Sequence, residues 1–206
     1  MGRIWIAICL TIFLLVGQAI AADRVQKAKT ARKKAGVLEQ NASAKGNKVL
    51  PPPSAIITKP EAQAVDPAGE GALDDAITCL ARTIYWEAKS EGPAGMEAVA
   101  NVVMNRLGHK SFPNTICGIV RQGSEKGACQ FGWWCDGRSD DAEEGKSYAI
   151  AKEIARKALN MQLTDRTDGA LYFNQKKAIS RWSGEYGATV EIGEHVFYKS
   201  YKSAIN

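Results

Sequence analysis

The 206 residues are 45% hydrophobic and 24% charged, enough apolar material for one globular domain with a tail or for two very small domains. The net charge of +5 is unevenly spread: residues 22–59 hold nine Lys/Arg against Asp23 and Glu39, a net of +7, which together with the +1 of Arg3 leaves −3 for residues 60–206. The basic balance belongs to the tail, and the tail lacks the interleaved aromatic residues of a nucleic-acid surface, which argues against nucleic acid as a partner.

The first residues have the layout of a signal peptide: Arg3, an apolar run over residues 4–16, and small residues at Ala19 and Ala21. The run is shorter than the ~20 residues of a membrane span, so cleavage after Ala21 or Ala22 and export to the periplasm or cell wall are expected, with an uncleaved N-terminal anchor as the alternative. Export puts Cys79, Cys117, Cys129 and Cys135 in an oxidising compartment, where two disulfides are expected; three pairings are open and the sequence does not choose among them. No C-x-x-C occurs, and His109 and His195 are far apart, which argues against a zinc site; no cofactor is implied.

Residues 22–72 read as a basic, disordered linker. They contain no aromatic residue and include Pro51-Pro52-Pro53, and the run Arg32-Lys33-Lys34 suits either contact with an anionic surface or a solvated spacer. The folded domain is expected over residues 73–206. Its first helix carries Ile77, Leu80, Ala81, Ile84, Tyr85 and Ala88 at the spacing of one face; Asp74 or Asp75 caps its start and Gly92-Pro93 stops it. Glu87 falls at the edge of this stripe, near the helix C-terminus. Partial burial and the helix dipole both raise the proton affinity of such a carboxyl group, which makes it a candidate general acid; a carboxylate with its head in solvent fits the spacing equally.

A second helix follows from Pro93, with Met96, Val99, Ala100, Val103 and Leu107 on its apolar side and Gly108 at its end, and Asn114 is placed to cap a short third helix through Ile116, Ile119 and Val120. Residues 123–137, rich in Gly and Cys, read as a disulfide-held loop or irregular hairpin, and residues 142–160 as a fourth helix. Residues 169–174 and 191–198 have strand composition, with a tight turn at Gly193-Glu194. Helices followed by a small antiparallel sheet give an α+β domain.

Glycosidic cleavage needs an acid and commonly a second carboxylate, for which Glu91, one turn beyond Glu87, is available. The aromatic residues Trp86, Phe131, Trp133, Trp134, Trp182 and Tyr186 suit sugar faces or a core, and in an extended segment only one of Trp133 and Trp134 buries easily. Gln130, Asn174 and Ser180 are polar loop residues able to hold sugar substituents.

Several blocks carry a resemblance. Cys79-Leu80-Ala81-Arg82-Thr83-Ile84-Tyr85-Trp86-Glu87-Ala88, Val99-Ala100-Asn101-Val102-Val103-Met104-Asn105-Arg106, Phe112-Pro113-Asn114-Thr115-Ile116-Cys117, Cys129-Gln130-Phe131, Ala170-Leu171-Tyr172-Phe173-Asn174 and Gly193-Glu194-His195-Val196-Phe197-Tyr198 together resemble the SleB-like cell wall hydrolases, the family of the spore cortex-lytic enzymes. The resemblance implies a lysozyme-like α+β fold, peptidoglycan glycan strands as substrate and Glu87 as catalytic acid. It further implies lytic transglycosylase chemistry between N-acetylmuramic acid and N-acetylglucosamine, leaving 1,6-anhydro ends. Gln130, Phe131, Asn174, Trp133, Trp134 and Glu91 are then candidates for substrate contact. The sequence departs from the family pattern at Lys89-Ser90, where Arg-Gly is usual, and at Gly132, where Ser is common. A hydrolytic muramidase using Glu87 with Glu91, and a non-catalytic peptidoglycan-binding module, are the alternatives.

Overall fold

The computed structural model describes the backbone of residues 2–44, 50–177 and 186–200, and the side chains of those beyond residue 17. Ser180 and Trp182 lie outside the described residues. The order is α1 (Gly2–Ser43), α2 (Lys59–Ala64), α3 (Ala76–Ala88), α4 (Gly92–Arg106), α5 (Ile116–Arg121), α6 (Gly145–Leu159), then β1 (Tyr172–Gln175), β2 (Tyr186–Ile192) and β3 (His195–Ser200).

Helix α3 is the centre of the core. The Asp75 carboxylate accepts from the backbone N–H groups of Ile77 and Thr78, both at 3.0 Å, which supplies its N-cap as expected. Every residue of α3 is buried except Trp86 and Glu87. Helices α1, α4, α5 and α6 pack around it, so the helix meets open space only near its C-terminus. Gly92, at φ 68°, breaks the chain between α3 and α4. Thr115, not Asn114, caps α5, its hydroxyl accepting from Gly118 N at 3.2 Å.

The two disulfides are Cys79–Cys117, which ties α3 to α5 with a Cα separation of 5.3 Å, and Cys129–Cys135, which closes the irregular loop with a Cα separation of 6.2 Å. That loop contains two single turns of 3₁₀ helix, Ser124–Lys126 and Gly132–Trp134. The sheet is antiparallel in the order β1-β3-β2, and Gly193, at φ 59°, makes the expected turn between β2 and β3. Phe197 of β3 packs with Ala98 and Val102 of α4 and with Ala170, which seats the sheet on the helical layer. The fold is the mainly helical α+β arrangement with a small antiparallel sheet and disulfides that the sequence implied.

The structure departs from the expected disordered linker at residues 22–72. Helix α1 continues past Ala22, and Ala31, Ala35 and Leu38, spaced four and three apart, are buried in the core shared with α3 and α6. Polar side chains fix it: Lys34 Nζ binds Glu61 at 2.9 Å and the Ile56 carbonyl at 2.9 Å, and the Glu39 carboxylate accepts from Ile116 N at 2.6 Å. After residue 50 the chain stays docked. Thr58 and Glu61 form a capping box for α2, and Ile57 and Val65 are fully buried.

Asp66 makes the tightest connection. Its Oδ2 accepts from Arg82 Nε (3.1 Å) and Nη2 (2.9 Å) and from the Tyr148 hydroxyl (2.6 Å), while Oδ1 accepts from Gly71 N (2.7 Å). Arg82 is 1% exposed, so this residue of the supposed linker neutralises a charge on the central helix. Among the described residues no helix is long and apolar enough to cross a membrane.

Candidate active site

The exposed end of α3 opens into a cleft of about 720 Å³, walled by the cysteine loop on one side and the sheet on the other. Trp86 and Glu87 come from α3, Arg106 from the end of α4, Cys129, Gln130 and Gly132 from the loop, and Tyr172, Asn174, Tyr186 and His195 from the strands. Among the described residues Glu87 is the only carboxylate lining it.

Glu87 is half-buried on the cleft floor. Removal from water raises its proton affinity from the ordinary 4.5 to about 7, and the positive charge of Arg106 opposes the rise. A carboxyl group so placed is half protonated near neutrality and therefore fit to give a proton and later to take one. Among the described residues no side-chain hydrogen bond occupies it, which leaves the carboxyl free to meet a ligand oxygen.

The aromatic wall is built from Trp86, Tyr172 and Tyr186. Trp86 is fixed by donation from its indole N–H to the Asp140 carbonyl at 3.0 Å, and the Tyr172 and Tyr186 rings meet edge to face at 4.7 Å. Gln130 stands exposed at the rim and Asn174 is half-buried on β1, and both line the cleft.

Four other candidates are placed elsewhere. Glu91 is absent from the lining; its Oε2 accepts from Glu194 N at 2.7 Å, and a Cβ on Gly193 would come within 2.1 Å of that oxygen, so the carboxylate is packed against the β2–β3 turn. Phe131 is 1% exposed, stacked under the Arg106 guanidinium at 5.2 Å. Trp133 is 8% exposed and belongs to the core, and Trp134 is packed against that core with the Arg121 guanidinium 5.2 Å from its ring centre. The expectation for this pair assumed an extended segment, whereas Gly132–Trp134 is a 3₁₀ turn that directs the first ring inward and lays the second on the surface of the core.

Sequence reasoning did not single out Arg106 or His195. Arg106 is 3% exposed and its Nε donates to the Leu171 carbonyl at 2.8 Å; burial lowers its proton affinity to about 10. The signal was present: Arg106 falls four and three residues along the stripe that carries Val99 and Val103. His195 is 5% exposed on β3, on the same face as Phe197, and burial holds its imidazole below the usual histidine range. Among the described residues no group of three or more His, Cys, Asp or Glu is gathered as metal ligands would be.

A family model described as Cell Wall Hydrolase matches residues 90–198. The spore cortex-lytic enzyme of Bacillus cereus is 32% identical over 126 residues, covering 60% of this chain and 44% of that protein. That of Halalkalibacterium halodurans is 31% identical over 130 residues, covering 62% of this chain and 36% of that protein. The chain thus spans less than half the length of these curated relatives. Among solved structures, the catalytic domain of the germination-specific lytic transglycosylase SleB from Bacillus anthracis covers 60% of this chain and 93% of its own, with a TM-score of 0.49 and 30% identity. With more than half of its residues inside the family match, this chain belongs to the cell wall hydrolase family.

Proposed function

We propose that this chain is an exported enzyme that cuts peptidoglycan glycan strands between N-acetylmuramic acid and N-acetylglucosamine, as a lytic transglycosylase leaving 1,6-anhydro ends. The observation that carries the reading is the half-buried Glu87 carboxyl group, its proton affinity raised to about 7, on the floor of an aromatic-walled cleft. One group suffices for this reaction. Protonated Glu87 gives its proton to the glycosidic oxygen as the bond to C1 breaks. The resulting carboxylate takes the proton of the muramic C6 hydroxyl as that oxygen closes on C1, and Glu87 is restored. Trp86 and the Tyr172–Tyr186 pair offer flat faces to sugar rings, while Gln130 and Asn174 offer hydrogen bonds to acetamido and hydroxyl groups.

A hydrolytic muramidase would need a partner carboxylate for water, and the candidate Glu91 is engaged with the β2–β3 turn, which favours the intramolecular route. Export follows from the leader-like first residues. Cleavage after Ala21 or Ala22 would keep the packed stretch of α1, which begins near Ala28.

The test is digestion of purified sacculi with the mature chain, followed by mass spectrometry of the fragments. The expected product is the anhydromuropeptide, one water lighter than the reducing product, and Glu87→Gln is expected to release about 100-fold less or below. Reducing ends would overturn the transglycosylase reading, undiminished release by Glu87→Gln would overturn the role of Glu87, and binding without fragments would make the domain a glycan-holding module.

A further inference from the structure

The cleft floor holds a cation that has no anion of its own among the described residues. Arg106 is 3% exposed, and its Nη1 is buried with no hydrogen-bond partner. Its Nε is spent on the Leu171 carbonyl, and the rings of Phe112, Phe131 and Tyr172 surround the guanidinium, their centres 5.0, 5.2 and 5.7 Å from it. No carboxylate stands within ion-pair distance of it among the described residues. Aromatic faces repay part of the lost hydration, but an apolar side chain of similar volume would fill the space at lower cost. The opposite charge it acts on is the one Glu87 acquires: the two side chains line the same cleft, and each biases the other's proton equilibrium.

Its Nε is spent and its Nη1 is sealed from solvent, so neither is offered to a sugar, and the charge of the guanidinium bears on Glu87, which lines the same cleft. We propose that Arg106 is a positioning residue, a permanent cation behind the cleft floor that stabilises the Glu87 carboxylate in the half of the cycle when Glu87 has lost its proton. This rests on the reading of Glu87 as acid and then base. Without the cation, the dry floor would make the proton too hard to release and the carboxylate too eager to recover it from solvent. Among the described residues the other titratable groups lining the cleft are Tyr172 on β1, Tyr186 on β2 and His195 on β3, and none of these supplies a fixed positive charge near neutrality: the tyrosines are never cationic, and burial favours the neutral imidazole.

The experiment is the pH dependence of sacculus cleavage by the mature chain, with Arg106→Met and Arg106→Lys beside it. Activity should fall at high pH as Glu87 loses its proton. In Arg106→Met that alkaline limb should move up by about one pH unit or more, with about a 10-fold loss in kcat at neutrality; in Arg106→Lys, whose charge is kept on a shorter reach, the limb should fall between the two. A merely structural Arg106 predicts limbs that coincide in every variant that folds, and that result overturns the proposal. If Arg106→Met does not fold, the Lys variant decides alone. If neither folds, the wild-type limb decides: a buried counter-charge leaves it within about 0.2 pH unit between 0.05 and 0.5 M NaCl, and a larger drift places the tuning charge in solvent and overturns the proposal. Activity surviving in Glu87→Gln would instead overturn the underlying reading, whatever Arg106 does.

Discussion

Replacing Glu87 with Gln should stabilise the protein in a pH-dependent way. Unfolded, the Glu87 carboxyl titrates near 4.5; folded, burial raises this to about 7. Between those values the folded chain holds a proton that the unfolded chain has released, so stability drops as pH rises through the window and levels off above it. At about 1.4 kcal/mol for each pH unit between the two proton affinities, ionising Glu87 costs the fold about 3 kcal/mol. Glutamine has no charge to bury. Wild type and Glu87→Gln should therefore have nearly equal unfolding free energies at pH 4, and by pH 8 the variant should lead by about 3 kcal/mol, read as separated urea midpoints with unchanged slopes. Parallel stability curves from pH 4 to pH 8 would refute the dry site, and with it the physical ground for an acid that works near neutrality.

Three other substitutions test the placement of individual residues. Asp66→Ala leaves Arg82 buried without its carboxylate and should cost about 3–5 kcal/mol in urea unfolding, against almost nothing if residues 50–72 were a spacer. Leu38→Ala, at a position 3% exposed on α1, should cost about 2–4 kcal/mol by the same measurement. Glu91→Gln weakens the anchor of the β2–β3 turn and should cost about 1–2 kcal/mol and lower amide protection at Glu194, while sacculus cleavage falls by less than about 10-fold; a loss nearer 1000-fold would make Glu91 a partner in the chemistry.

Part of the candidate cleft was legible because one helix carries the carboxylate on its floor. The stripe from Ile77 to Ala88 identified α3, and Glu87 at its border was the charge out of place; in the structure the helix is buried everywhere except at Trp86 and Glu87. What could not be read were contacts between distant segments. Glu91 looked like a second acid because it is one turn from Glu87, yet its partner Glu194 is 103 residues away and reaches it only when the hairpin forms. One of Trp133 and Trp134 looked accessible because their segment reads as extended; the Cys129–Cys135 bond and a single 3₁₀ turn fold it onto the core. Arg106 was hidden by its charge, although it stands in helical register with Val99 and Val103 and is buried with them.

The N-terminal segment shows the same limit from the side of composition. Lysine and arginine dominate residues 22–48 and mask a stripe of small residues, Ala28, Ala31, Ala35 and Ala42 with Leu38, that buries against the core. Alanine contributes little apolar area per residue, so the stripe scores weakly as hydrophobic while allowing a helix backbone to lie close. The polar partners were equally invisible: Lys34 meets Glu61 and Ile56, and Asp66 meets Arg82 and Tyr148, all across sequence gaps. These contacts bear on the chemistry. The proton affinity of Glu87 is set by burial, burial is set by how firmly α3 is held, and α3 is held on one flank by α1 and through Arg82 by Asp66. A substitution in the basic N-terminal segment that loosens this packing admits water beneath Glu87 and lowers its proton affinity, so less of it is protonated near neutrality although nothing in the cleft has changed.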